Sequence, residues 1–395
     1  MRKLDNVAKI FSLEEDSNIF RLSINLKENV DKNILKKSIY KTLEKYPFFK
    51  VKIEKGFFWY HLEYNNKNII IEKTSKSSFK NNNNYLFKIT YQNNIINIDI
   101  YHVLTDGLGS LIFLKSLLYN YFNIKYNLSN KDTYINYIYD EYIKNYDKSI
   151  KYKPKYQSSF KIEDKYNIRN NKTIHYMLNL NKFKIICKKY NVSITEYITA
   201  LYIYSIYKTI YNKKSNKDII ITIPIDLRRH YNVSSLNNFF TCMDINSNIV
   251  NSDITFEKIL KQVKLEFNNN LTKDNINKYL SHDVKLGTNY FINLIPLILK
   301  KRLIKYVTKL FTKTATLSNL GPIILDEQYR KYIDNIIVLV KTTKCQKIKC
   351  TISSYENNLN IILNSNLISN EIENEFYNML KQTIDVKLIN SVYNI

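Results

Sequence analysis

The chain has 395 residues, 45% of them hydrophobic and 24% charged, which is enough apolar material for one large or two ordinary globular domains. No run of about 18 apolar residues occurs and the start MRKLDNVAKIF has no apolar core, so neither a transmembrane helix nor a signal peptide is expected. The net charge of +25 is nearly all lysine, spread evenly beside abundant Asn, Ile and Tyr with A/T-rich codons, so nucleic acid is not an expected partner.

The first hundred residues predict a strand, a helix and two hairpins. Residues 18–26 alternate as a strand, and Asp31 is placed to cap a helix that stops before a proline. A first hairpin turns at Gly56. A second joins 85–91 to 95–102 across two asparagines.

The stretch 95–122 (IINIDIYHVLTDGLGSLIFLKSLLYNYF) ends a strand in a histidine. Three isoleucines alternate with polar residues, as in a half-buried strand, and continuing the alternation places His102 on their apolar face. Asp106 and Gly107 then turn the chain into a helix. A strand on one side and a loop on the other is a common mount for a catalytic base. The simpler alternative is a core histidine followed by a helix cap.

The middle of the chain predicts a boundary. Periodicity weakens over 123–171, with a short helix near 134–146, and we interpret this stretch as a crossover. The predicted division is therefore 1–168 and 169–395.

The second half repeats the alternation of strands and helices. It predicts a strand over 173–180, a helix over 182–189, and a long helix through 211 that opens with the capping box SITE. An apolar strand, 219–225, precedes DLRR. Later come a basic apolar helix or helix pair over 289–311, the segment TATLSNLGP, a hairpin turning at two asparagines, and a helix over 370–384.

The sequence HVLTDG has the form His-x-x-x-Asp-Gly, and it resembles the signature of the chloramphenicol acetyltransferase-like superfamily. LDNVAKIF, GFFWYHLE, HVLTDG and SNLG, in this order, resemble segments of a bacterial branch of alcohol acetyltransferases. The resemblance implies an α+β fold with two chloramphenicol acetyltransferase-like subdomains that form a V-shaped pseudodimer of mixed sheets flanked by helices. It also implies a monomer with His102 in a tunnel between the subdomains.

The function implied by this resemblance is acyl transfer, with acetyl as the first candidate group, from a thioester to a hydroxyl. Acyl-CoA would be the cosubstrate, without a bound cofactor, and the acceptor would be a small alcohol or a lipid-like molecule. His102 would act directly as the general base, since no Ser or Cys lies in a nucleophile-elbow context. Two alternatives stay open: a condensation-type enzyme that uses an acyl group on a carrier protein, and a non-catalytic binding relative.

The resemblance gives Asp106 a supporting role, in which it holds the loop by pairing with an arginine. Arg228 and Arg21 are the candidates, with Arg228 preferred, and the alternative for Arg228 is a solvated strand end. Gly107 would let the loop turn tightly beside the tunnel. Tyr101 stands where condensation domains usually carry a second histidine, which disfavours peptide-bond synthesis.

A tetrahedral intermediate also needs hydrogen-bond donors for its oxyanion. Ser318 and Asn319, beside Gly321, are the candidates for contact with the oxyanion or substrate, and Thr105 is a weaker one. The alternative is a β-turn in which Asn and Gly only satisfy turn geometry.

Two further features concern partners and location. The basic helix at 294–311 either lies on a membrane, as peripheral contact that suits a lipid-like acceptor, or packs on the core with its lysines in water. The four cysteines are scattered without zinc spacing, so we expect no metal site, no disulfide and a reducing cytoplasmic location.

Overall fold

The computed structural model describes residues 2–14, 18–76, 79, 81–129, 140–154, 157–163, 171–211, 215–249 and 254–389. The strands of this part of the chain are β1 (Arg2–Lys3), β2 (Ile19–Leu26), β3 (Val51–Lys55), β4 (Tyr60–Tyr64), β5 (Ile71–Lys73), β6 (Phe87–Gln92), β7 (Ile95–Tyr101), β8 (Lys172–Asn179), β9 (Ile220–Asp226), β10 (Phe240–Asn246), β11 (Ala315–Pro322), β12 (Ile333–Val340), β13 (Ile348–Tyr355), β14 (Asn358–Ser365) and β15 (Lys387–Ile389). Its helices are α1 (Asn6–Phe11), α2 (Lys32–Lys45), α3 (Gly107–Tyr126), α4 (Glu141–Asn145), α5 (Leu180–Lys189), α6 (Ile194–Thr209), α7 (Arg228–Tyr231), α8 (Phe256–Asn270), α9 (Lys273–Thr288), α10 (Tyr290–Leu294), α11 (Leu297–Phe311), α12 (Glu327–Arg330) and α13 (Glu371–Thr383), with a 3-10 turn at Pro47–Phe49.

The helix starts follow the capping residues that the sequence predicts. The Asp31 side chain accepts the first free N–H groups of α2, and Ser193 with Glu196 closes a reciprocal capping box on α6. The predicted hairpins are present as β3–β4, β6–β7 and β13–β14. Of the short helix predicted near 134–146, residues 134–139 lie outside the described part, and α4 follows them.

A five-stranded sheet of order β12-β2-β7-β6-β5 carries the histidine strand β7. Helices α2 and α3 supply core residues to the same hydrophobic cluster as β2 and β7. The edge strand β12 comes from the second half of the chain and pairs antiparallel with β2. Hydrogen bonds between strands therefore cross the predicted domain boundary at 168/169. The division into two domains there stays a prediction.

A seven-stranded mixed sheet of order β10-β9-β11-β13-β14-β8-β15 forms the core of the second half. Strand β11 runs parallel to both of its neighbours, β9 and β13. Helices α5, α6, α8 and α13 pack against this sheet in one cluster. A separate three-stranded sheet has the order β1-β4-β3. The architecture is α+β, with mixed sheets flanked by helices.

The two large sheets meet at β12. The Thr351 hydroxyl of β13 donates to the Val338 carbonyl at 2.6 Å, and the Asn360 amide of β14 donates to the Asn335 side chain at 3.0 Å. The face of β13 that carries Thr351 is therefore turned toward the first sheet.

Strand β7 is buried on both faces, which corrects the prediction of a half-buried strand. Its polar Asp99 is fully buried because Arg21, its neighbour on β2, donates to both carboxylate oxygens at 2.6 and 2.9 Å. The third guanidinium nitrogen of Arg21 donates to the Ser75 carbonyl. The polar position Asp99 thus marks a buried ion pair, whose charges are compensated inside the protein.

No helix in the described ranges is long and apolar enough to cross a bilayer.

Candidate active site

His102 directly follows the last residue of β7. Its backbone N–H donates to the Asn18 carbonyl at 2.8 Å, just before β2 begins. Its ring contacts Phe20, whose partner across the strands is Ile100, so His102 lies on the face that the alternation predicts.

An aromatic wall surrounds the imidazole. The ring centroids of Phe11, Phe20 and Phe240 lie 4.4, 5.1 and 5.6 Å from that of His102. Burial against these rings lowers the pKa of His102 below its usual 6.5, although the negative charge of Asp106 opposes the shift. The side chain keeps some exposure. His102 is therefore a neutral imidazole at pH 7, the form in which it can accept a proton.

The tautomer of His102 is set by Asn238, which the sequence analysis did not single out. Nδ1 of His102 lies 2.9 Å from Oδ1 of Asn238, and Nδ2 of Asn238 donates to Oδ2 of Asp5 at 3.1 Å. Because a carboxylate can only accept, Asp5 turns the amide oxygen of Asn238 toward the histidine. Nδ1 then carries the proton and Nε2 presents its lone pair. Among the described residues, none hydrogen-bonds to Nε2 of His102.

The buried carboxyl group of Asp5 accepts two hydrogen bonds. One oxygen accepts the Ala8 N–H at 2.7 Å as the cap of α1, and the other accepts from Asn238. Burial raises the pKa of Asp5 to about 7, while these two hydrogen bonds oppose the shift. The group is therefore a carboxylate above neutral pH and takes up a proton near it.

The segment 236–240 lies along the whole HVLTDG motif. Four of its members form hydrogen bonds with the motif or its arginine: the Leu236 carbonyl accepts from Thr105, the Asn237 carbonyl from Arg228, the Asn238 side chain bonds to His102, and the Phe239 N–H donates to Asp106. This chain is rich in asparagine, and nothing local distinguishes Asn238 from Asn237. Only the fold identifies it.

Asp106 caps α3 and pairs with Arg228. The two terminal nitrogens of Arg228 donate to the two oxygens of Asp106, each at 2.9 Å, and the backbone N–H groups of Gly109 and Phe239 complete the set. Burial opposes ionisation of Asp106, but the charge and hydrogen bonds of Arg228 outweigh it and lower the pKa. Of the two arginine candidates, Arg228 is the one that pairs with Asp106, whereas Arg21 is committed to Asp99.

Arg228 is not a solvated strand end. Its remaining donors go to the carbonyls of Ser235 and Asn237 and to the Asp226 carboxylate. This network ties the loop after β9 to the N-terminus of α3. Asp106 thus fixes the loop that follows His102, and in the described chain it makes no hydrogen bond to the imidazole.

Gly107 of the motif and Gly109 of α3 provide space for close packing, which corrects the role expected of Gly107. Gly107 is the first residue of α3 and has no positive φ, so its turn needs no glycine; instead, a Cβ there would lie 3.0 Å from the Leu320 side chain. At Gly109 a Cβ would lie 2.1 Å from the Thr105 hydroxyl and 2.7 Å from the Leu236 carbonyl. A side chain at Gly109 would therefore clash more severely than one at Gly107.

Thr105 does not fit the role of oxyanion donor. It is fully buried, and its hydroxyl donates to the Leu236 carbonyl at 2.6 Å. Its contacts hold two segments of the protein together.

The SNLGP segment reaches the motif through Leu320, which packs on Gly107. The Asn319 side chain donates to the Thr195 hydroxyl and accepts the Gly321 N–H, both at 2.8 Å, and Gly321 has a φ of +73° at a bulge in β11. These contacts support the turn alternative for Asn319. Ser318 is half-buried, on the strand face opposite the core residue Leu317.

Lys349 of β13 is a second residue that the sequence analysis missed. It alternates with Cys350, which lies in the core of the second half, so it shares the face of Thr351 that is turned toward the first sheet. Burial lowers the pKa of Lys349 to about 8, and its charge contributes to the lowered pKa of His102. Within the described ranges, no cluster of His, Cys, Asp and Glu could hold a metal ion.

The fold of the chain is that of the chloramphenicol acetyltransferase-like acyltransferases. TRI101 of Fusarium sporotrichioides, complexed with coenzyme A and T-2, is 9% identical and superposes with a TM-score of 0.66 over 98% of this chain and 99% of that chain. The trichothecene 15-O-acetyltransferase TRI3 of the same organism is 9% identical, with a TM-score of 0.64 over 97% and 94%.

A condensation domain shares the same fold. The first condensation domain of the calcium-dependent antibiotic synthetase is 8% identical, with a TM-score of 0.66 over 98% of this chain and 99% of that chain. No family model matches the sequence, and no curated protein matches it. The likeness therefore lies in the fold, and the chemistry must be argued from the site.

Proposed function

We propose that the protein is an acyltransferase that moves an acyl group, such as acetyl, from acyl-CoA to the hydroxyl of a small alcohol or lipid-like acceptor. The observation that carries this proposal is the state of His102. Its imidazole is neutral, its Nδ1 proton is held by Asn238, and its Nε2 lone pair is unused among the described residues. That is the form a general base requires.

The reaction needs no covalent enzyme intermediate. Nε2 of His102 takes the acceptor's hydroxyl proton while the oxygen attacks the thioester carbonyl, which gives a tetrahedral intermediate and an imidazolium. The C–S bond then breaks, and the imidazolium returns the proton to the departing thiolate, so that an ester and a free thiol leave. The Asn238 oxygen stabilises the imidazolium through the Nδ1 proton. General-base help of this kind contributes about 10² to 10⁴ in rate.

Two residues are proposed to face the reacting carbonyl. Ser318 keeps its place as an oxyanion or substrate contact, because it is half-buried and lies on the face of β11 opposite the core residue Leu317. Lys349 adds a positive charge in the neighbourhood of His102, which favours an oxyanion there.

The donor is proposed to be acyl-CoA because coenzyme A is bound in the TRI101 complex and this chain carries a net charge of +25. Such a charge attracts the phosphates of coenzyme A. Carrier-bound acyl groups are the second candidate, which the condensation-domain likeness favours. Against it, Tyr101 fills the position before His102, and its hydroxyl donates to the Phe11 carbonyl at 3.0 Å.

The test is a screen of acyl-CoAs against alcohols and amines, read out as release of free thiol. We expect acceptor-dependent thiol release by the wild type and its loss in His102→Ala. His61→Ala is the matched control, because His61 lies on β4 and bonds to Glu63. Acyl-carrier protein replaces acyl-CoA in a parallel arm. Equal turnover by His102→Ala and the wild type would overturn the proposal that His102 is the base. Turnover with acyl-carrier protein but not with acyl-CoA would overturn the proposed donor. No turnover with any donor would favour the non-catalytic alternative.

A further inference from the structure

Large apolar side chains are exposed together on α10, α11 and the turn between β3 and β4. Phe291, Ile298 and Phe57 are 78%, 73% and 73% exposed, and Tyr290 and Phe58 lie beside them in the chain and are also exposed. Contiguous apolar surface of this extent on a folded protein usually marks a binding surface. We call it the aromatic-helix surface.

Helix α11 presents two parallel stripes to solvent. Leu299, Leu303, Tyr306 and Leu310 follow helical spacing and are all exposed, as are the basic residues of the adjacent stripe: Arg302, Lys305 and Lys309. The buried Leu297 and Lys300 mark the side that faces the protein. The apolar residues of α11 therefore do not all face the protein core, and its exposed surface is not only basic. Its apolar stripe points outward with cations along one edge, the pattern of a helix that lies in a bilayer interface.

The aromatic-helix surface is held rigidly by Lys300. Its ammonium group donates to the carbonyls of Phe58 and Asn293 at 2.8 and 3.2 Å and lies 3.7 Å over the Trp59 ring. The Trp59 indole donates to the Asn293 side chain at 2.7 Å. The Leu297 N–H donates to the Phe57 carbonyl at 3.0 Å. These contacts fix the turn between β3 and β4 beside the start of α11.

The charge of this region selects the partner. Residues 284–325 contain seven Lys or Arg and no Asp or Glu. Interfaces with proteins are depleted of lysine at their cores, whereas apolar side chains flanked by lysines match acyl chains below anionic headgroups. We propose that the aromatic-helix surface docks the protein on an anionic lipid bilayer.

The docked surface adjoins the His102 side of the molecule. The Thr308 hydroxyl of α11 donates to the Glu14 carboxylate at 2.5 Å. Glu14 follows Phe11 by three residues, and the Phe11 ring contacts His102. On the proposed function, an acceptor carried in the membrane would approach the base from this side. The docking itself does not depend on catalysis.

The test is co-sedimentation of the full chain with vesicles of phosphatidylcholine alone or mixed with phosphatidylserine. We expect binding to the mixed vesicles and much weaker binding to phosphatidylcholine. Each basic residue near an anionic leaflet contributes about fivefold. Replacing Arg302, Lys305 and Lys309 together by Gln should therefore weaken binding about 100-fold, and replacing Leu299 and Leu303 by Ser should abolish it.

Matched controls come from α5, which packs against the seven-stranded sheet. Lys184, Lys188 and Lys189 are exposed there, and their replacement by Gln removes the same charge. Ile185→Ser removes a side chain that is 69% exposed. Both controls should sediment like the wild type, and all variants should share its circular dichroism and thermal midpoint.

Three outcomes would overturn the docking proposal. One is a wild type that stays in the supernatant with phosphatidylserine vesicles. Another is equal weakening by the α5 controls, which would show an effect of net charge alone. The third is a dimer in sedimentation equilibrium that the Leu299 and Leu303 substitutions convert to monomer, which would assign this surface to a second copy. Thiol release with a water-soluble alcohol is measured separately, so failure of docking and failure of the acyltransferase proposal are distinguishable.

Discussion

Asn238 accepts the Nδ1 proton of His102 at 2.9 Å across 136 residues of sequence, and Asp5 holds the amide in the orientation that this requires. The arrangement leaves Nε2 of a neutral histidine as the acceptor of a proton. The proposed base on one half of the chain is therefore oriented by a side chain from the other half.

Replacement of Asn238 tests this orientation. Asn238→Leu removes the acceptor for Nδ1, so the ring loses its preferred tautomer, and we expect kcat to fall about 10- to 100-fold with little change in KM. Asn238→Asp keeps an acceptor and adds a negative charge, so it should shift the pH profile of activity to a higher midpoint. A Leu variant with wild-type kcat would show that Asn238 does not position the base.

Asp5 makes the orientation dependent on pH. A proton on Asp5 turns one accepting oxygen into a donor, and Asn238 then has to reverse its amide and present Nδ2 to His102. Because the pKa of Asp5 is about 7, we expect activity to begin to fall below neutral pH, before His102 itself is protonated. Asp5→Ala should lose this first step in the profile. A wild-type profile governed by a single ionisation below 6.5 would contradict it.

The pair of Asp106 and Arg228 supports both the fold and the site. Asp106→Ala leaves a guanidinium buried without its main partner, which should lower the free energy of unfolding by about 3–5 kcal/mol. Glu54→Ala, which breaks a solvent-accessible pair with Lys52, is the control and should lower the free energy of unfolding far less, because water screens such pairs. Denaturant unfolding measures both, and similar losses in the two variants would contradict the account.

The pH dependence of this stability has a definite sign. The pKa of Asp106 is lowered in the folded state, so its contribution is present above its unfolded value of about 3.8 and is lost as the pH falls through the lower folded value. The stability gap between wild type and Asp106→Ala should therefore be constant near neutral pH and close only in strong acid.

Much of the local structure around His102 is encoded locally. Alternation gives β7 and the Asp106 carboxylate gives the start of α3, so the order of strand, histidine, cap and helix can be predicted from neighbouring residues. The close packing at Gly107 and Gly109 is visible only in the fold. The arginine partner of Asp106 is implied by the family resemblance, and because arginine is scarce in this chain only Arg228 and Arg21 are candidates, with Arg228 preferred. The structure pairs Asp106 with Arg228.

The rest depends on contacts between distant segments. Asn238 and Lys349 reach the neighbourhood of His102 only through the packing of β10 and β13, and no local pattern separates them from other Asn and Lys residues. The alternation of β7 gave the strand but not the burial of its polar face, since Asp99 is compensated by Arg21 from another strand. Asn319 and Thr105 have the chemistry of oxyanion donors, but their hydrogen bonds go to neighbouring segments of the chain.

Lys349 offers a test of the electrostatics around the base. Its positive charge disfavours the imidazolium of His102, so Lys349→Met should raise the pKa of His102, as measured by NMR titration of the ring. Lys344→Met, on the loop before β13, serves as a control. A His102 pKa that does not move in Lys349→Met would show that the two groups do not interact.

The role of His102 as general base is tested most directly by the pH dependence of kcat/KM in wild type and His102→Ala, with the acyl-CoA and acceptor that the screen identifies. The pKa of His102 is lowered, so its base form persists above that pKa and is lost as the pH falls through it, below 6.5. We predict a wild-type plateau above neutral pH with a fall in acid, and a His102→Ala rate about 10² to 10⁴ lower that lacks the ionisation below 6.5. A His102→Ala enzyme with the wild-type rate and the same ionisation would show that His102 is not the general base.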